Sequence, residues 1–272
     1  MSLNLNKIGF RSVVNSYDLF FIDIWGVIHN GLNLHDDAIE VLNFLDQMKK
    51  KYVLLTNAPR PNNTVKNFLK KMGLDQDKCN KVYTSGEASL TYLSSNFNNS
   101  KFYHIGPPRD FDLFNLFKKN KVNEIKNSDF ILCTGFFENY ENDLDYYKSL
   151  LKENNKKKMI CTNPDLVVDR GEIREFCAGT IAKIFEELNG QVEYFGKPFP
   201  LVYKQSTNIK DKKILCIGDN LNTDIRGAYN QKFSSLFILN GVHKDEIAKD
   251  KLSNILQKYK VNATYVQDNL KW

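Results

Sequence analysis

Cysteine is scarce in this chain, and its five residues, Cys79, Cys133, Cys161, Cys177 and Cys216, are odd in number and scattered. That excludes a disulfide framework and suits reduced core residues. No Cys pair has zinc-ligand spacing, and the four His never fall four apart on a helical stretch, so no structural zinc is expected. Long apolar runs are missing too. Residues 1–7 lack an apolar core of signal-peptide length, and no stretch could span a bilayer; a soluble cytoplasmic protein with no membrane partner is the expectation. Charge of one sign is not concentrated: 38 basic against 32 acidic residues leave +6. Lys49-Lys50-Lys51 and Lys156-Lys157-Lys158 each sit between a helical stretch and a strand, where the helix dipole favours them. Neither run has interleaved aromatics, so no nucleic-acid partner is expected.

What the chain does have is apolar patterning, with 42% hydrophobic residues over 272 positions, enough for one large domain and a smaller inserted one. Strands are expected near 19–23, 52–56 and 82–84, with helices near 37–49 and 62–72 between them. That is the rhythm of a parallel sheet with helices on its faces, an α/β fold. It returns with strands at 214–217 and 236–239 around a helix near 224–231. Between the two halves lie strands near 102–105, 130–134 and 159–162, helical stretches beginning near 110 and 142, and another over 178–188.

Four segments carry candidate chemistry. The apolar run Leu19-Phe20-Phe21-Ile22 ends in Asp23, where a buried strand should stop, and Leu54-Leu55 runs into Thr56-Asn57. Later come Gly196-Lys197-Pro198 and Ile217-Gly218-Asp219-Asn220, with Asp224 five residues after Asp219. Singly each has an ordinary explanation: Asp after a strand forms turns, and Thr and Asn cap helices. Two carboxylates flanking a strand-to-helix loop could hold a hard cation or simply be solvated.

In this order and context the four segments resemble the motifs of the haloacid dehalogenase superfamily, and most closely its class IIA, NagD-like or nitrophenylphosphatase-like branch. The resemblance implies a Rossmann-like parallel-sheet core over 1–84 and 192–272, with an inserted α/β cap domain over 85–191. It implies an Asp23 nucleophile, Lys197 holding it ionised, and Thr56 and Asn57 binding the substrate phosphate. It also implies Mg²⁺ on Asp23, the Trp25 backbone carbonyl, Asp219 and Asp224. The substrate would be a small phosphorylated metabolite, a sugar or aryl phosphate, and a homo-oligomer through the cap is compatible with it. Within the cap, Cys161-Thr162-Asn163-Pro164-Asp165 and Cys177-Ala178-Gly179-Thr180 resemble the branch as well, either as substrate contacts or as a Pro turn and a helix start.

One position departs from the pattern. Phosphatases of the superfamily place a second Asp two residues after the first, as acid and then base, and here that position is Trp25. An indole N–H has no proton-transfer equilibrium near neutral pH. His29, six residues after Asp23, is the candidate substitute acid/base; its ordinary reading is a surface or cap-facing histidine. Two functions follow: a slow or leaving-group-dependent phosphatase, or a phospho-ligand-binding protein that kept its metal site and lost turnover. A dehalogenase gives Asp219 and Asp224 no role.

Overall fold

The computed structural model describes residues 2–97, 99–171 and 173–272. Seven parallel strands form the first sheet, in the order Leu3–Asn4, Tyr265–Gln267, Ser234–Ile238, Ile214–Gly218, Leu19–Ile22, Lys51–Thr56, Val82–Thr84. The chain leaves Leu19–Ile22 toward Lys51–Thr56 on one side and returns to Ile214–Gly218 on the other. The order therefore reverses at the middle of the sheet, and a crevice opens at the carboxyl ends of these strands. In register, Ile22 pairs with both Ile217 and Leu54, so Asp23, Thr56-Asn57 and Asp219 emerge at one edge.

Successive strand residues face opposite ways, and here both faces are covered. Phe20 and Ile22 join Val41, Leu42 and Leu45 of helix Asp36–Gln47, and Val65 and Leu69 of helix Asn62–Lys71. Leu19 and Phe21 join a second cluster with Val53, Leu55 and Tyr203. That cluster also contains Phe102, Phe130, Leu132 and Ile160 of a separate parallel sheet, ordered Gln191–Tyr194, Lys158–Cys161, Phe130–Cys133, Phe102–Ile105, Lys121–Val122. Among the described residues no strand of this second sheet pairs with the first. A large apolar side chain withdrawn from water contributes about 1.5–3 kcal/mol, so the shared cluster holds the two sheets together.

An antiparallel hairpin, Val167–Arg170 with Ile173–Phe176, stands apart from both sheets. Where a helix was expected from 110, Pro108–Asn120 is a run of 3₁₀ turns, non-helical at Phe114 and Phe117. It starts at Pro108 directly after Pro107, and burial of Leu113, Phe114 and Phe117 prevails over helical regularity. The helix expected near 224–231 is a π turn, Leu221–Ile225, followed by the helix Arg226–Gln231. All five cysteines are free and buried. No helix among the described residues is long and apolar enough to cross a membrane.

Candidate active site

Lys197 is the hub of the crevice. Its Nζ donates to Asp23 Oδ1 at 2.5 Å, Asp224 Oδ1 at 2.7 Å and the Leu55 carbonyl at 3.0 Å. Asp224 Oδ2 accepts from the Asn220 N–H at 3.2 Å, and the π turn that carries Asp224 turns its carboxylate back toward Lys197. Asp219 Oδ2 accepts the Val242 N–H at 2.8 Å. Two glycines make room for it: a Cβ on Gly26, whose φ is 86°, would lie 2.2 Å from Asp219 Oδ2, and one on Gly241 would lie 2.1 Å away.

Asp23, Asp219 and Asp224 are buried, with carboxylate oxygens within 4.8 Å of one another. Three carboxylates thus face one ammonium, and the imbalance is written in their proton affinities. Burial, then Asp224, raise the Asp23 carboxyl well above the ordinary range, against Lys197, with Asp219 adding to the rise. Burial and Asp224 raise Asp219 to about 7, against the Val242 N–H and Lys197. Burial opposes the charge on Lys197, but Asp224, Asp23 and Asp165 outweigh it and push the ammonium above its usual value. An all-oxygen donor set with surplus negative charge fits a hard divalent cation.

Asn57 clamps the backbone of Lys197. Its Oδ1 accepts the Lys197 N–H at 2.7 Å, while its Nδ2 donates to the Lys197 carbonyl at 3.0 Å and to Asp165 Oδ1 at 3.2 Å. Thr56 ends its strand at the cavity, with Oγ1 accepting from the Ala58 N–H at 3.2 Å. These side chains line a cavity of about 260 Å³ together with Trp25, Asp165, Val167, Asp169 and Lys244. Burial raises Asp165 to about 6, against Lys197 and with Asp224.

His29 does not join them, a correction to its candidacy as acid/base. It is buried at 2% exposure beneath Trp25, the rings 4.9 Å apart, and against Phe68 at 5.7 Å. Its Nδ1 accepts the Gly31 N–H at 2.8 Å, and burial, then His35 and Arg170, lower it to about 4. It is therefore neutral near pH 7 and committed to the loop. The imidazole that lines the cavity is His35. Sequence reasoning also missed the 240–244 loop, whose one readable sign was a Gly soon after an apolar strand, and the hairpin residues Asp169, Arg170 and Arg174.

Both segments that supply this site have relatives. The family model for haloacid dehalogenase-like hydrolases matches residues 20–117, and a second, for HAD-hydrolase-like chains, matches 194–272. The chain belongs to the haloacid dehalogenase-like hydrolases. It lies in the NagD-like class IIA branch. It is 26% identical to the ribonucleotide monophosphatase NagD of Escherichia coli, over 78% of this chain and 86% of that one. It is 24% identical to phosphoglycolate phosphatase 2 of Arabidopsis thaliana, over 94% and 93%. A hydrolase of the same superfamily from Brucella suis superposes with a TM-score of 0.83 at 25% identity, covering 96% of this chain and 98% of that one. As a haloacid dehalogenase-like hydrolase, the chain presents its acidic cluster where the two matched segments meet.

Proposed function

We propose that this chain is a Mg²⁺-dependent phosphatase of small phosphoric monoesters, working through an aspartyl-phosphate on Asp23. The observation that carries the reading is one buried ammonium, Lys197, joined to both Asp23 and Asp224 beside Asp219 at the floor of a cavity. A carboxylate oxygen of Asp23 attacks phosphorus and the ester P–O bond breaks, the leaving oxygen departing as an oxyanion that takes its proton from water; water then hydrolyses the acyl phosphate, returning the Asp23 carboxylate and releasing inorganic phosphate. Lys197 keeps Asp23 ionised, and Asp224 holds Lys197 in place. Thr56 and the backbone around Asn57 serve the phosphoryl oxygens. Asp23, Asp219 and the Trp25 carbonyl would hold Mg²⁺, with Asp224 beside it. When bound, the ion neutralises charge on the transferred group. Residues 85–194, which include the last strand of the second sheet, act as a cap, through which Asp165 and the hairpin reach the cavity.

The phosphatase names of the relatives support the same reading. The test is hydrolysis of 4-nitrophenyl phosphate with Mg²⁺, lost on chelation and lost in Asp23→Asn with the fold intact. An Asp23→Asn protein with wild-type activity would refute the mechanism.

A further inference from the structure

The indole of Trp25 has a use of its own. Its Nε1 donates to the carbonyl of Asp169, 144 positions along the chain, at 2.6 Å. The Arg170 guanidinium carbon lies 5.2 Å from its ring centroid, a cation–π arrangement. Gly31 and the buried His29 pack against the ring. Asp169 and Arg170 belong to the Val167–Arg170 strand of the hairpin, so Trp25 ties that hairpin to the loop that follows the nucleophile.

Two further ties reach the hairpin from around the cavity. The Gly171 N–H donates to the Asn30 carbonyl at 3.2 Å. Arg174 grips Asp169 with two bonds of 2.7 and 2.9 Å and donates to the Val242 carbonyl at 2.7 Å. Val242 is the residue whose N–H holds Asp219. The hairpin is thus pinned at both rims, and its residues Val167, Val168, Asp169 and Gly171 line the cavity below. With the hairpin down, that cavity is about 260 Å³, under the ~300–1,000 Å³ of pockets that enclose drug-sized ligands. A carboxylate at position 25 could supply neither the N–H donor nor the ring.

We propose that Trp25 is a positioning residue that latches the hairpin over the cavity, restricting substrates to phosphoric monoesters whose leaving group is smaller than a nucleoside. The substrate half rests on the phosphatase reading; the latch does not. Access to larger esters requires the hairpin to lift, and Trp25 opposes that.

Hydrogen exchange followed by mass spectrometry on the full chain tests the latch directly. Peptides covering 167–176 should exchange about tenfold faster in Trp25→Ala, which loses a hydrogen bond and a cation–π contact, and in Arg174→Ala. Trp25→Phe, which keeps a ring without the N–H, should fall between. Peptides from Leu19–Ile22 and Ile214–Gly218 should stay protected; if they do not in Trp25→Ala, the exposed Arg174→Ala decides. Exchange equal to wild type in both variants overturns the latch. For specificity, the ratio of kcat/KM for adenosine monophosphate to that for glycerol phosphate should rise about tenfold in Trp25→Ala, and an unchanged ratio overturns that half. A wild-type protein that hydrolyses no phosphoric monoester overturns the substrate half together with the phosphatase reading, while the exchange rates still decide the latch.

Discussion

Lys197 and Asp23 form a buried ion pair 2.5 Å long across 174 positions of the chain. The pair is held from behind: Asn57 fixes the Lys197 backbone through both its N–H and its carbonyl, so the ammonium cannot drift from the nucleophile. Positioning of this kind is where catalysis by preorganised charge resides.

Replacing the ammonium tests this. Lys197→Met should lower kcat by about 10²–10³-fold. Its stability cost should reach the ~3–5 kcal/mol usual for breaking a buried pair, because Asp23 and Asp224 both lose the cation they accept from. Turnover and a denaturant titration measure the two effects.

Metal binding should depend on pH in a set direction. Asp219 sits at about 7 in the folded metal-free protein, above the ordinary carboxylate value. Its contribution to stability is therefore complete below about pH 4 and lost as pH rises through about 7. Mg²⁺ requires the ionised carboxylate, so the Tm gain on adding Mg²⁺ should be small at about pH 5.5 and larger at about pH 7.5. Equal gains at the two pH values would argue that Asp219 is not a ligand.

Trp25 should make the leaving group matter. With its N–H committed to Asp169 and no carboxylate at that position, departure of an alkoxide goes unassisted there, so nitrophenyl phosphate should turn over far faster than an alkyl phosphate. Trp25→Asp should raise alkyl phosphate turnover by up to about 10²-fold and flatten the series. Trp25→Ala frees the hairpin without supplying an acid and should leave the series steep. A steep series in all three proteins would deny position 25 a role in proton transfer.

His29→Ala should cost about 2–3 kcal/mol of stability, since it empties a packed site under Trp25. The slope of the leaving-group series should not change. A slope that steepens in this variant would restore His29 as the proton donor.

Much of the first sheet was legible because its strands are buried on both faces and so read as unbroken apolar runs ending in polar residues, as at Asp23 and Thr56. The short strands Leu3–Asn4 and Tyr265–Gln267 carry too few residues to show a period. His29 misled because distance along the chain says nothing of direction: Gly26 has φ 86° and Gly31 φ 90°, and the loop between turns the imidazole inward. Arg174 and Val242 met the site only through the fold, 68 positions apart, and no local pattern marks such a meeting.

The apolar cluster shared by the two sheets bears on how the molecule comes apart. Phe21 and Leu55 on one side and Phe102, Phe130 and Leu132 on the other belong to a single core. Neither sheet can melt without baring the face of its neighbour, so heating should give one calorimetric transition whose van't Hoff and measured enthalpies agree. Movement that admits substrate is then left to the two-stranded hairpin, which can lift without disturbing that core.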